Sequence, residues 1–204
     1  MRSPTDRRAP QRSDDRRDAI LDALHQVLRE SSFEAVTIAD ITRHAGVTRS
    51  AFYFYFENKA VALAALMERV LDDAFFVNDV FTLAGGAPES RIRTMIEGVV
   101  ATWEAHRYLF SALLAARAVS GTVQEVWDSA RESFVASVAE MITTERAAGA
   151  APDGVDATVL ASVLMEFNDR LLERLTLGGP LTREQLMDGA AALWLGGIYG
   201  RTST

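Results

Sequence analysis

A chain of 204 residues, 49% of them apolar, is long enough for one large core or for a small domain joined to a larger one. No apolar run approaches the ~20 residues of a membrane span, the N-terminus lacks the apolar stretch of a signal peptide, and the absence of cysteine rules out disulfides and thiolate metal sites. A cytoplasmic protein without a cofactor is the expectation. The net charge of −7 is uneven: residues 1–60 hold ten Lys/Arg against nine Asp/Glu, residues 61–204 eleven against nineteen, so the acidity does not oppose a polyanionic partner for the first part.

Residues 1–13 are rich in Pro, Ser and Arg and are expected to be disordered. Arg2, Arg7, Arg8 and Arg12 there would suit a basic arm that follows a DNA backbone or enters a minor groove, although a solvated tail is the commoner fate of such a segment. Asp14 to Glu30 reads as a helix with Ile20, Leu24, Val27 and Leu28 on one stripe.

Thr37 to Lys59, TIADITRHAGVTRSAFYFYFENK, carries the strongest local signal. Thr37 can cap a short helix through its side-chain oxygen, and Ile38, Ile41 and Ala45 give that helix one apolar face. Gly46 ends it, where a left-handed backbone is easy for glycine. Val47 fits the angle between helices and Thr48 can cap the next one. Two short helices about a glycine-bearing turn make a helix-turn-helix, which lays its second helix in the DNA major groove. Arg49 and Ser50 open that second helix, the end that reaches base edges. Tyr53 and Tyr55 carry hydroxyls for phosphates, and Phe52 and Phe56 are spaced to anchor the helix from behind. Lys59, the one lysine of the chain, begins the following helix, where its cation and the free amides can hold a phosphate. On spacing alone, an ordinary helical hairpin competes with this reading.

A long helix is expected from Asn58 to about Val80, its apolar side built from Val61, Leu63, Leu66, Val70 and Phe75, before the break AGGAPES. Five more helical segments follow, near 89–105, 107–118, 121–148, 154–177 and 182–199, with Gly149–Pro152 and Gly178–Pro180 as punctuation. No strand-like alternation occurs, so the fold is expected to be all-α. Trp103, Trp127 and Trp194 all lie in this second part, where large aromatics ordinarily fill a core. Asn168 stands out because it occupies a stripe with Leu164, Leu171 and Leu175. A buried amide costs a few kcal/mol unless it is hydrogen-bonded, so Asn168 either bonds a neighbouring helix or faces a cavity.

Enzyme signatures are missing. His25, His44 and His106 are scattered without metal-ligand spacing, and there is no GxSxG, Walker loop or GxGxxG. Asp72-Asp73 and Glu166/Asp169 read as solvated faces or local ion-pair partners rather than acid–base pairs.

The stretch Thr37–Lys59, with its Tyr53-Phe54-Tyr55-Phe56 run, resembles the TetR family of bacterial one-component transcriptional regulators. The resemblance implies a helix-turn-helix DNA-binding domain at 14–60 and a ligand-binding and dimerisation domain at 61–204. Within the family, the likeness extends to a member with a long, largely apolar tunnel for elongated hydrophobic ligands. Ala116-Arg117-Ala118, Trp127, Glu145-Arg146, Gly149–Pro152, Asn168-Asp169-Arg170, Trp194 and Ile198-Tyr199-Gly200 carry that likeness. It implies a pocket lined by Ile92, Met95, Val99, Trp103, Phe110, Trp127, Phe134, Met165, Asn168 and Trp194, with Asn168 bonding a ligand carbonyl. Ile92, Met95, Val99 and Met165 depart from that member's residues, so the tunnel is expected to be reshaped.

The family likeness also implies a homodimer, for which the small side of the last helix (Ala190–Ala192, Gly196-Gly197) is suited, and a palindromic double-stranded operator. The expected function is repression relieved by an apolar small molecule, although the sequence leaves the sign of the ligand effect open. The alternative is a helical ligand-binding or carrier protein without an operator.

Overall fold

The structure, a computed structural model, describes the backbone of residues 9–82 and 86–200 and the side chains of residues 15–70 and 86–200. These residues form nine α-helices and no strand: α1 (Ala9–Glu30), α2 (Ile38–Ala45), α3 (Arg49–Tyr55), α4 (Lys59–Thr82), α5 (Pro88–Ala105), α6 (Arg107–Arg117), α7 (Gly121–Ala147), α8 (Ala157–Leu177) and α9 (Arg183–Tyr199). The all-α expectation holds.

Local chemistry sets most of the boundaries. Asn58 caps α4 by accepting from the amides of Ala60 (2.9 Å) and Val61 (3.0 Å). Pro88 opens α5, at a position whose N–H has no helical acceptor in any case. Asp156 caps α8 through the amides of Thr158 and Val159, and Thr182 with Gln185 forms a reciprocal capping box at α9. The first helix departs from expectation. It begins at Ala9 rather than Asp14, with Pro10 in its first turn, where proline removes no helical hydrogen bond. Arg12 is therefore in the helix, while Arg2, Arg7 and Arg8 lie outside the described residues.

The chain divides into two compact units. One comprises the chain up to Val70 together with Tyr108–Val126. Ile20, Leu21 and Leu24 of α1, Ile41 of α2, Phe52 of α3, Leu63 and Leu66 of α4 and Leu109 and Leu113 of α6 are its buried core, with α1 packed on α2. The other comprises Leu71–Arg107 and the chain from Trp127 onward. There α9 packs on α5 and α8, and Ile92, Ile96 and Val100 of α5, Ile142 of α7, Leu164 of α8 and Trp194, Leu195 and Ile198 of α9 are buried.

Candidate nucleic-acid interface and effector core

The helix-turn-helix is built by its own side chains. Thr37 accepts from the Asp40 amide (3.2 Å), and the Asp40 carboxylate accepts from the Thr37 amide (3.1 Å), closing a capping box at α2. The Thr37 hydroxyl and backbone, then Arg43, hold the Asp40 carboxyl below its ordinary range. Gly46 ends α2 at φ 65°, a left-handed conformation in which a side chain would be strained. Val47, half-buried in the turn, donates its N–H to Thr42 (3.1 Å). Thr48 caps α3 by accepting from the Ala51 amide (3.2 Å).

Phe52 is fully buried and Phe56 nearly so, which fixes one side of α3 against the core. The opposite side is open. Arg49, Ser50, Tyr53 and Phe54 are exposed, and Tyr55 is half-buried. Arg49 donates to the Tyr53 hydroxyl (3.3 Å) with its guanidinium 5.7 Å from that ring's centroid, one helical turn away. A short capped helix thus presents a cation, hydroxyls and an apolar ring on one side, a set that suits phosphates and base edges.

Lys59 is placed differently from the phosphate anchor expected of it. Its ammonium donates to the carbonyls of Phe33 (2.6 Å), Glu34 (3.3 Å) and Val36 (2.9 Å), and lies 4.5 Å from the centroid of the Phe33 ring. An ammonium has three N–H donors, so all are occupied by the segment between α1 and α2. In the same unit, His25 of α1 shares a hydrogen bond with the Tyr108 hydroxyl of α6, and Arg29 lies 5.4 Å from the centroid of the Tyr108 ring.

In the second unit, each tryptophan donates its indole N–H to α8. Trp103 of α5 reaches Thr176 (2.9 Å), Trp127 of α7 reaches Asp169 (2.8 Å), and Trp194 of α9 reaches the Asn168 carbonyl oxygen (3.1 Å). Asn168 is buried, and its amide N–H2 faces the thioether of Met165 at 3.9 Å, a weak acceptor. Of the other expected lining residues, Ile92 and Met95 are buried, while Val99, Phe134 and Met165 are half-buried. Phe110 is half-buried on α6 and belongs to the first unit.

Asp169 and Thr176 were not singled out as indole acceptors by sequence. Nothing local marks them, since their partners are 42 and 73 residues away. Also unanticipated is the pairing of Arg91 with Glu145, which is bidentate at 2.8 and 2.9 Å, with Tyr199 joining at 3.1 Å. Both charged side chains are about 15% exposed or less. No group of three or more His, Cys, Asp or Glu among the described residues could hold a metal ion, and no described helix is long and apolar enough to cross a membrane.

This arrangement has close counterparts. Residues 20–66 match the family described as bacterial regulatory proteins, tetR family, and residues 92–200 match the C-terminal domain of the transcriptional regulator EthR. The chain belongs to the TetR family of bacterial regulatory proteins, in the group typified by EthR. It is 32% identical to the HTH-type transcriptional regulator EthR of Mycolicibacterium smegmatis, over 98% of this chain and 94% of that one. With EthR of Mycobacterium tuberculosis it is also 32% identical, over 92% of this chain and 88% of the relative. Among solved structures, a TetR transcription regulator from Haloarcula marismortui shares the fold at a TM-score of 0.72 and 20% identity, covering 93% of this chain and 100% of that one. GusR of Salmonella enterica shares it at 0.68 and 18%, covering 90% and 95%.

Proposed function

We propose that this chain is a cytoplasmic, ligand-responsive transcriptional repressor that binds a palindromic operator as a homodimer. Residues 14–60 serve as the DNA-binding domain and residues 61–204 as the ligand-binding and dimerisation domain. The observation that carries the proposal is the open side of α3, where Arg49, Ser50, Tyr53 and Phe54 stand exposed while Phe52 holds the helix from behind. A carrier protein has no use for such a face, and the relatives it matches are named as transcriptional regulators.

Dimerisation is supported by exposed apolar positions on the last two helices. Val159 and Val163 lie one turn apart on α8 and are 53% and 60% exposed. Gly189, Leu193 and Gly196 make an exposed stripe of small and apolar residues on α9. Pairing these helices with those of a second copy buries the stripe and presents two recognition helices to two half-sites.

The effector we infer is an elongated apolar molecule with a carbonyl. Ile92, Met95, Trp103, Trp127, Phe134, Met165 and Trp194 supply the apolar surroundings, and the Asn168 N–H2, set against a thioether, has donor capacity for a ligand oxygen. A ligand that favours a helix separation unlike that required by DNA weakens operator binding by its differential affinity for the two states. Helix α4, which begins at Lys59 directly after the recognition motif, is the element to carry that change.

A gel shift on the DNA upstream of the chain's own gene, at several salt concentrations, tests the proposal. Retention of a palindromic fragment, falling steeply with salt, is expected. Absence of retention at low salt would sink the repressor reading and favour the ligand-binding alternative.

A further inference from the structure

Phe54 is the least polar side chain on α3's open side and the most exposed large apolar residue of the helix, at 78%. A single exposed phenylalanine needs no explanation by itself; its position does. It lies in the last turn of the helix, one turn beyond Ser50 on the same open side, and about half a turn around from the buried Phe52. Its ring is braced edge-on against Tyr55, with centroids 4.9 Å apart and planes at 87°. A braced ring has less rotamer freedom to lose on docking. Phenylalanine has no donor or acceptor, so it cannot take part in the polar code of the major groove. The apolar mark that groove offers is the C5 methyl of thymine.

We propose that Phe54 is a specificity-determining residue that reads a thymine methyl group in each operator half-site. This rests on the DNA-binding reading above. Arg49 and Tyr53, on the neighbouring stripe, have the polar chemistry for phosphate or base-edge contacts, and Phe54 adds an apolar discrimination at one base pair.

The test starts from a random duplex library selected on the wild-type chain, followed by fluorescence anisotropy on the selected duplex. Each thymidine is then replaced in turn by deoxyuridine, which removes only the methyl. One position per half-site is expected to lose about four-fold in affinity per methyl removed, and Phe54→Ala is expected to bind the thymidine and deoxyuridine duplexes equally. Because the side chain is exposed, thermal unfolding of that variant should match wild type. Deoxyuridine without effect at every position, or an undiminished thymidine preference in Phe54→Ala, overturns the assignment. Weaker binding by Phe54→Ala with no deoxyuridine effect in wild type assigns the ring to the sugar-phosphate backbone instead. Selection that enriches no duplex overturns the DNA-binding reading, and this assignment with it.

Discussion

Trp194 and Asn168 face each other across α9 and α8, the indole N–H on the amide oxygen at 3.1 Å, and both side chains are buried. The Asn168 amide oxygen is thereby satisfied within the protein, while its N–H2 meets only the weak acceptor of the Met165 thioether. Replacing Asn168 therefore tests the hydrogen bond that joins the two helices. Asn168→Leu leaves a buried indole N–H without its acceptor and should destabilise the protein by about 1–3 kcal/mol. Trp194→Phe should cost less in the Asn168→Leu background than in wild type, because the donor it removes has there already lost this acceptor. Urea unfolding of the two single variants and the double variant measures this. Strict additivity would show that the hydrogen bond contributes nothing.

Lys59→Met keeps most of the aliphatic stem and deletes the ammonium that gathers the Phe33, Glu34 and Val36 carbonyls. Stability should fall by about 1.5–3 kcal/mol, the range for hydrogen bonds made by a charged group. Operator binding should weaken through a misplaced α2, with the slope of log affinity against log salt unchanged. A slope smaller by about one unit would mean that the ammonium leaves those carbonyls for a phosphate when DNA binds.

The Arg91–Glu145 pair predicts a pH signature. Hydrogen bonding from Arg91 holds the Glu145 carboxyl below its ordinary value despite burial. A group whose folded pKa is depressed stabilises the fold above its unfolded pKa, and that contribution is lost as pH falls through the folded value. Wild-type stability should therefore drop on acidification below the normal glutamate range. Glu145→Gln should show a shallower drop, from a start roughly 3 kcal/mol lower at neutral pH, because Arg91 is left buried beside a neutral partner. Urea midpoints across acid pH, compared for the two proteins, decide it.

Val163→Glu places a charge on the exposed side of α8, where the wild-type residue is 60% accessible. Folding of a single chain should change by less than about 0.5 kcal/mol, as is usual for exposed sites. Association should fail. Sedimentation is expected to show a dimer for wild type and a monomer for the variant, and a variant that stays dimeric would remove α8 from the interface.

Features written in adjacent residues were legible in the sequence. The caps at Thr37 and Thr48 and the left-handed Gly46 each depend on chemistry within a few residues, and each is found where expected. Pro10 misled because proline marks a tail and a first helical turn equally well. Lys59 shows the other limit. Its position at the start of α4 is local information, but the carbonyls it binds lie 23 to 26 residues upstream. The direction of a flexible cation is decided by packing, which no spacing rule reports. The burial of Asn168 was visible from its leucine-flanked stripe, whereas the identity of its partner, on another helix, was not.

Every tryptophan of the chain sends its indole N–H to one helix, onto a hydroxyl, a carboxylate and an amide in turn. The protein thus carries its own optical gauge of α8. Indole emission responds to the polarity and charge next to the ring nitrogen, so a molecule that displaces α8 or takes over the Asn168 amide should announce itself in the unlabelled protein's fluorescence. Single Trp→Phe replacements would then tell which of the three stations along the helix has moved.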